Sequence, residues 1–243
     1  MSDSLQHIQE RLRALAHPEK AKILSGFFKT GPGEYGEGDR FLGITVPQIR
    51  DLVKRYADIP LEYLAVFVTS EFHEERLFAL LVAVHQYEKG SIRVRNATYR
   101  WYIKHLATIN NWDLIDLSAD KIIGRHLMET RASGGVLEQF AKSKNLWRRR
   151  VAIMATFAFI KKGRHVPTFN IARMLLKDSE DLIHKAVGWM LREVGKRIGQ
   201  DVEEDFLRAH YQAMPRTMLR YAIERFPRRL YRAYLTGRVE PLT

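Results

Sequence analysis

Apolar residues recur at three- and four-residue spacing along most of this chain, and the helices they imply return with a period near 36 residues. Leu77, Leu80, Leu81 and Val84 form one such stripe, and Val151, Met154, Ala155 and Phe159 another. Breaks at Lys89-Gly90, Ser133-Gly134-Gly135, Lys162-Gly163 and Gly199 read as helix ends, with glycine near the C-cap. Long helices are predicted to start at Arg76-Leu77-Phe78-Ala79, Arg149-Arg150-Val151-Ala152 and Lys185-Ala186-Val187-Gly188, separated by 73 and 36 residues, so that the first gap spans two periods. The missing phase falls at Trp112 and a further one at Arg220-Tyr221-Ala222-Ile223. Chance recurrence among amphipathic helices of similar length is the plain alternative. The pattern predicts an all-α fold: one domain over residues 1–243, a right-handed superhelix (α-solenoid) of helical-hairpin repeats whose second helices line a concave face.

The rhythm breaks between Lys29 and Arg40, where Gly31, Gly33, Gly36 and Gly38 crowd together. A glycine-rich loop can cradle phosphate, but this one lacks the lysine and Ser/Thr of a P-loop and carries Glu34, Glu37 and Asp39. A loop or small hairpin insertion between two helices is the predicted structure. Gly43, Pro47 and Arg50 then open the next helix, where proline is tolerated in the first turn.

Composition narrows the classes of function. Hydrophobic residues make up 46% and charged residues 28%, enough to bury a core. Cysteine is absent, which removes disulfide scaffolds, thiolate zinc sites and cysteine nucleophiles together. Met1 to Glu10 has no apolar stretch after a basic start, so no secretory signal is expected. The longest apolar run, Val151–Ile160, is 10 residues, half of the roughly 20 that a membrane span needs, and reads as one buried helix. These features predict a soluble, cytoplasmic monomer with no membrane partner.

Charge is unevenly spread. The net charge is +12, yet residues up to 120 hold 15 basic against 16 acidic side chains and the remainder 25 against 12. The excess of +13 lies in clusters such as Arg148-Arg149-Arg150, Lys161-Lys162-Arg164 and Arg228-Arg229. A field of this kind attracts polyanions, because each neutralised phosphate releases counterions. A solvated basic surface, an acidic protein partner and a membrane surface fit the charge as well.

HExxH, serine-elbow, dinucleotide-binding and EF-hand patterns are absent, and the nine histidines are scattered, so neither a metal nor a cofactor is expected. The segment that stands out is Asn110-Asn111-Trp112-Asp113-Leu114-Ile115-Asp116. On a helix Trp112 and Asp116 are four apart and share a face, whereas Asp113 lies off it, so neutralising Asp113 is predicted to do little. One repeat later come Trp147 and Arg148 to Arg150, and then Gly188-Trp189 with Arg192-Glu193. If the repeats superpose, Trp112, Asp116, one arginine and Trp189 line one cleft. The plainer reading makes the tryptophans core residues and Asp116 a cap or an ion-pair partner.

Read in order, a set of segments resembles the bacterial DNA alkylation repair glycosylases of the AlkD type, which are built from HEAT-like repeats. The set is Pro18-Glu19-Lys20-Ala21, Phe41-Leu42-Gly43-Ile44 with Pro47 and Arg50, Trp112-Asp113 with Asp116, Trp147 with Arg150-Val151-Ala152-Ile153, and Gly188-Trp189 with Leu191-Arg192-Glu193. The resemblance covers nearly the whole chain. It implies base excision repair, by hydrolysis of the N-glycosidic bond of cationic 3- and 7-alkylated purines in double-stranded DNA, without flipping the lesion into a pocket. It also implies that Asp116 is the catalytic aspartate, that Trp112 and Trp189 flank the deoxyribose of the lesion, and that Arg150 contacts the DNA backbone, with Arg148 and Arg149 beside it. Phe27, or the adjacent Phe28, stands where the family carries a tyrosine, and the insertion at residues 30–40 is longer than in its best-known members. Two other readings remain: a HEAT-like module that binds damaged or branched DNA without chemistry, and a solenoid that grips an acidic protein.

Overall fold

The computed structural model describes residues 4–130 and 135–240. Among these residues the chain is all-α, as the periodicity predicts, and the only β-type pairing is an isolated bridge between Arg40 and Phe72. No helix in them is long and apolar enough to cross a membrane. Two compact units divide the chain, the first ending at Ile122 and the second starting at Ile123.

In the first unit α1 (Leu5–Arg13), α2 (Pro18–Phe27), α3 (Val46–Arg55), α4 (Leu61–Val68), α5 (His73–Lys89), α6 (Ile92–Lys104) and α7 (Trp112–Asp116) follow one another. The 17-residue α5 is the hub, packed by α3, α4 and α6 and touching α7. Every residue from His73 to Val84 is buried, so α5 has no solvent face until its last turn. It starts three residues before the predicted Arg76. Its first turn, His73-Glu74-Glu75-Arg76, is polar and buried, and apolar spacing alone cannot register such a turn.

The partners of that turn account for its burial. Glu74 accepts the backbone N–H groups of Leu42 (2.9 Å), Gly43 (2.8 Å) and Ile44 (3.2 Å). Glu75 pairs with Arg13 at 2.7 Å and Arg76 with Asp39 at 2.6 Å. Gly43 is required where it stands, because its φ is +83° and a Cβ there would come within 2.2 Å of the His17 carbonyl oxygen. The glycine-rich insertion is a run of turns. Its acidic residues occupy its own backbone donors, with Glu34 accepting from Gly31 N–H and Glu37 from Gly33 N–H, both at 3.0 Å.

The second unit contains α8 (Arg125–Thr130), α9 (Val136–Ala141), α10 (Leu146–Ala155), α11 (Phe157–Ile160), α12 (Val166–Leu175), α13 (Asp181–Arg197), α14 (Gln200–His210), α15 (Arg216–Ala222) and α16 (Arg228–Leu235). The 17-residue α13 is the hub here, packed by α10, α12, α14 and α15. Gly188 on α13 allows the approach of α15, since a Cβ would sit 2.4 Å from the Met218 carbonyl oxygen. The run Val151–Ile160 is not one helix. It breaks at Thr156, whose hydroxyl donates to the Ile153 carbonyl at 2.6 Å and competes with the helical ladder. Of the break predicted at Ser133-Gly134-Gly135, the first two residues lie outside the described residues, and Gly135 precedes α9 with a φ of +85°.

Candidate functional site

The short helix α7 carries both Trp112 and Asp116, one turn apart. Asn111 caps it, its Oδ1 accepting the Trp112 backbone N–H at 2.8 Å while its Nδ2 donates to Asp39 Oδ2 at 3.0 Å. Asp113 accepts the Leu114 N–H through Oδ1 at 2.8 Å and faces His73 Nε2 through Oδ2, also at 2.8 Å. The other ring nitrogen of His73, Nδ1, lies 3.3 Å from Asp39 Oδ2. Asp39, His73, Asn111 and Arg76 are all buried, so this is a closed polar group under the helix.

Its charge state follows from the contacts. Burial disfavours a charge on His73, but the Asp113 carboxylate and the hydrogen bond to Asp39 outweigh it, with Arg76 opposing, and push the imidazole up to about 9. At neutral pH His73 is an imidazolium that donates from both nitrogens. Burial works against the Asp39 carboxylate too, yet His73, Arg76 and Asn111 hold it below the usual carboxylate range.

Aromatic rings close the top of this group. Phe41 stacks on His73 with centroids 4.7 Å apart, and Phe28 stacks on Phe41 at 5.0 Å. Trp112 stacks on Phe28 at 5.1 Å and 18°, and Phe27 meets the indole edge-on at 5.9 Å. Trp112 Nε1–H donates to the Tyr35 hydroxyl at 3.3 Å, and that hydroxyl lies 3.4 Å from the Phe27 carbonyl oxygen. Phe27 is 62% exposed, so one aromatic edge beside Trp112 faces solvent. Asp116 is half-buried, like Trp112. Burial pushes the Tyr102 hydroxyl up, and against its bond to Ser118 the nearby Asp120 and Asp116 carboxylates push it further.

The other candidates belong to the second unit. Arg148 is exposed on α10. Arg149 is turned inward, donating from Nε to Asp178 Oδ2 at 2.6 Å and from Nη1 to the carbonyls of Ser143 and Lys144. Arg150 is 4% exposed and donates from Nη1 to the Leu182 carbonyl at 2.6 Å. A run of three arginines on a helix points in three directions, so a basic cluster in sequence is not a basic cluster in space. Trp189 is half-buried on α13, and Arg192 pairs with Glu224. Among the described residues no group of three or more His, Cys, Asp or Glu is placed to hold a metal ion.

Of the residues that the sequence singles out, Trp112 and Asp116 share α7 and Phe27 meets the indole of Trp112, and nothing in the sequence points to the residues packed around them, Asp39, His73, Arg76 and Tyr35. The sequence places Asp113 off the Trp112/Asp116 face, and there the side chain meets His73, a partner that helix geometry does not announce. Lying off a face says nothing about what a side chain meets there.

The sequence profile of the DNA alkylation repair enzyme family matches residues 8–226. The chain belongs to that family. The solved structure of a predicted DNA alkylation repair enzyme from Enterococcus faecalis has the same fold, with a TM-score of 0.67 at 19% identity, over 88% of this chain and 97% of that one. A search of curated proteins finds none similar to this chain in sequence. Family membership supports a role in alkylation repair and implies DNA as the substrate.

Proposed function

We propose that this family member is a DNA glycosylase that hydrolyses the N-glycosidic bond of cationic 3- and 7-alkylated purines in duplex DNA, with Asp116 as the catalytic carboxylate. The observation that carries this reading is the pairing of Trp112 and Asp116 on one short helix whose indole stands beside the exposed Phe27. Alkylation makes the purine a cation and therefore a ready leaving group. As the C1′–N bond breaks, its electron pair neutralises the base, and no general acid is needed. Positive charge gathers on the sugar as an oxocarbenium-like centre, which a carboxylate stabilises. Water adds at C1′ and gives up a proton, for which Asp116 is the acceptor. The electron-rich face of Trp112 favours the same positive charge.

This reading gives a phosphate contact to the exposed Arg148 and leaves Arg149 and Arg150 to fix the helix that carries it. Exposed Lys161, Lys162 and Arg164 add to the field that draws a duplex in.

The test is release of free 7-methylguanine and 3-methyladenine from methylated duplex DNA, quantified by chromatography. The reading expects release from methylated and not from unmodified duplex. A wild-type protein that binds the duplex and releases no base supports a DNA-binding protein without chemistry instead.

A further inference from the structure

We propose that His73 is the positioning residue of α7, gripping Asp113 and Asp39 so that Trp112 and Asp116 present one fixed face. The inference rests on the glycosylase reading only for its kinetic consequence. A five-residue helix has too few internal hydrogen bonds to hold its own orientation. Something outside must set it, and the contacts name what does.

His73 joins three distant segments. Asp39, at the end of the glycine-rich insertion, lies 34 residues before it, and Asp113, in the first turn of α7, lies 40 residues after it. Both ring nitrogens are used, and the side chain is 2% exposed. Its ring also contacts Phe28 at 4.9 Å, and Phe28 carries the indole of Trp112 on a nearly parallel plane. One imidazolium therefore reaches α7 by two routes, an ion pair to Asp113 and a stack to Trp112. The insertion supplies a further hold on the same helix, because Asp39 accepts from the Asn111 cap and Tyr35 accepts from the Trp112 indole N–H.

The charged groups facing His73 are Asp39 from the insertion, Asp113 from α7 and Arg76 from its own helix. Glu74 is turned away to the N–H groups of Leu42 to Ile44. The two carboxylates keep the ring protonated up to about 9. Loss of that proton removes one donor and loosens one of the two grips.

The experiment compares wild type with His73→Gln and Asp113→Asn in the full chain. Single-turnover base release, duplex affinity and the indole N–H resonance of Trp112, identified by its loss in Trp112→Phe, are followed from pH 6 to about 10. The expected result is a fall of about tenfold or more in release rate in both variants with affinity within about twofold, since presentation and not attraction is lost. Wild type should lose rate as pH rises through about 9, and His73→Gln should lack that limb. The Trp112 indole resonance should shift in both variants, in Tyr35→Phe, and in wild type across the same pH range.

Folded variants that keep the wild-type rate, or an unmoved indole resonance, would overturn the proposal. If wild type releases no base, the glycosylase reading fails by itself and the indole resonance decides the positioning role. If a variant does not fold, the pH titration of wild type decides it without substitution.

Discussion

The two 17-residue hub helices place their charges differently, α5 in a buried first turn and α13 mostly along its outer face. In the first unit α5 begins with four consecutive polar residues, all buried, and each is engaged inside the fold. Glu74 holds a loop by three N–H groups, Glu75 takes Arg13, Arg76 takes Asp39, and His73 spans Asp39 and Asp113. In the second unit α13 pairs Lys185 with Asp181 and Arg192 with Glu224 outside its buried stripe, and exposed cations such as Arg148, Lys161, Lys162 and Arg164 stand on neighbouring segments. The first unit thus spends the charges of this turn inside the fold, and the residues after 120, with an excess of +13, keep several cations exposed on the surface, where a polyanion would meet them. On the proposed function, the first arrangement would shape the site and the second would attract the duplex.

Substitutions in the first unit should accordingly cost stability, and the largest cost is expected where a buried charge is orphaned. Arg76→Met leaves Asp39 buried without its guanidinium and should lower unfolding free energy by about 3–5 kcal/mol in denaturant titration. Glu74→Ala strands three backbone donors and should cost about 3 kcal/mol or more by the same measurement. A neutral outcome for either would mean that these charges are bystanders and would break the contrast between the halves.

The arginine run sharpens the contrast within one helix. Arg149→Ala should destabilise by about 1–3 kcal/mol, because it leaves the largely buried Asp178 unpaired. Arg148→Ala should leave the thermal midpoint unchanged, weaken duplex binding a few-fold, and reduce the salt slope of binding by about 1. Equal effects of the two substitutions on DNA affinity would show that orientation in the fold does not select the contact.

The smallest effect concerns an exception in the second unit. Glu203 is buried, and burial first, then the neighbouring Glu204, pushes its carboxyl up to about 9 against the pull of Arg192. It stays protonated at neutral pH, while the unfolded chain ionises it near 4.5. Its folded form binds the proton more tightly, so stability should fall as pH rises from 4.5 towards 9. Glu203→Gln should flatten that decline and raise the neutral-pH midpoint by about 2–4 °C.

Much of the architecture was legible because it rests on apolar spacing. The phases at Arg76, Arg149, Lys185 and Arg220 fall inside α5, α10, α13 and α15, and the phase at Trp112 opens α7. What spacing could not register was polar burial. Apolar spacing starts α5 at Arg76, three residues late, because His73, Glu74 and Glu75 are polar and their burial leaves no mark in that spacing. The break at Thr156 was invisible because it depends on one hydroxyl choosing a carbonyl. At the site, Trp112 and Asp116 could be picked out as neighbours on one helix turn. Their support could not, since Asp39, His73 and Asp113 are brought together only by tertiary packing across 34 and 40 residues. The glycine-rich insertion reads as a loop or small hairpin joining two helices, and its Tyr35 and Asp39 touch Trp112 and its cap.

The central claim is that a carboxylate on α7 does the chemistry while attraction of the duplex lies elsewhere. Single-turnover release of 7-methylguanine by Asp116→Asn, measured beside duplex affinity, tests it most directly. The account predicts a rate lower by on the order of 10² or more, with affinity changed only a few-fold, because the amide keeps the shape and loses the charge. Release at the wild-type rate by the variant would contradict it.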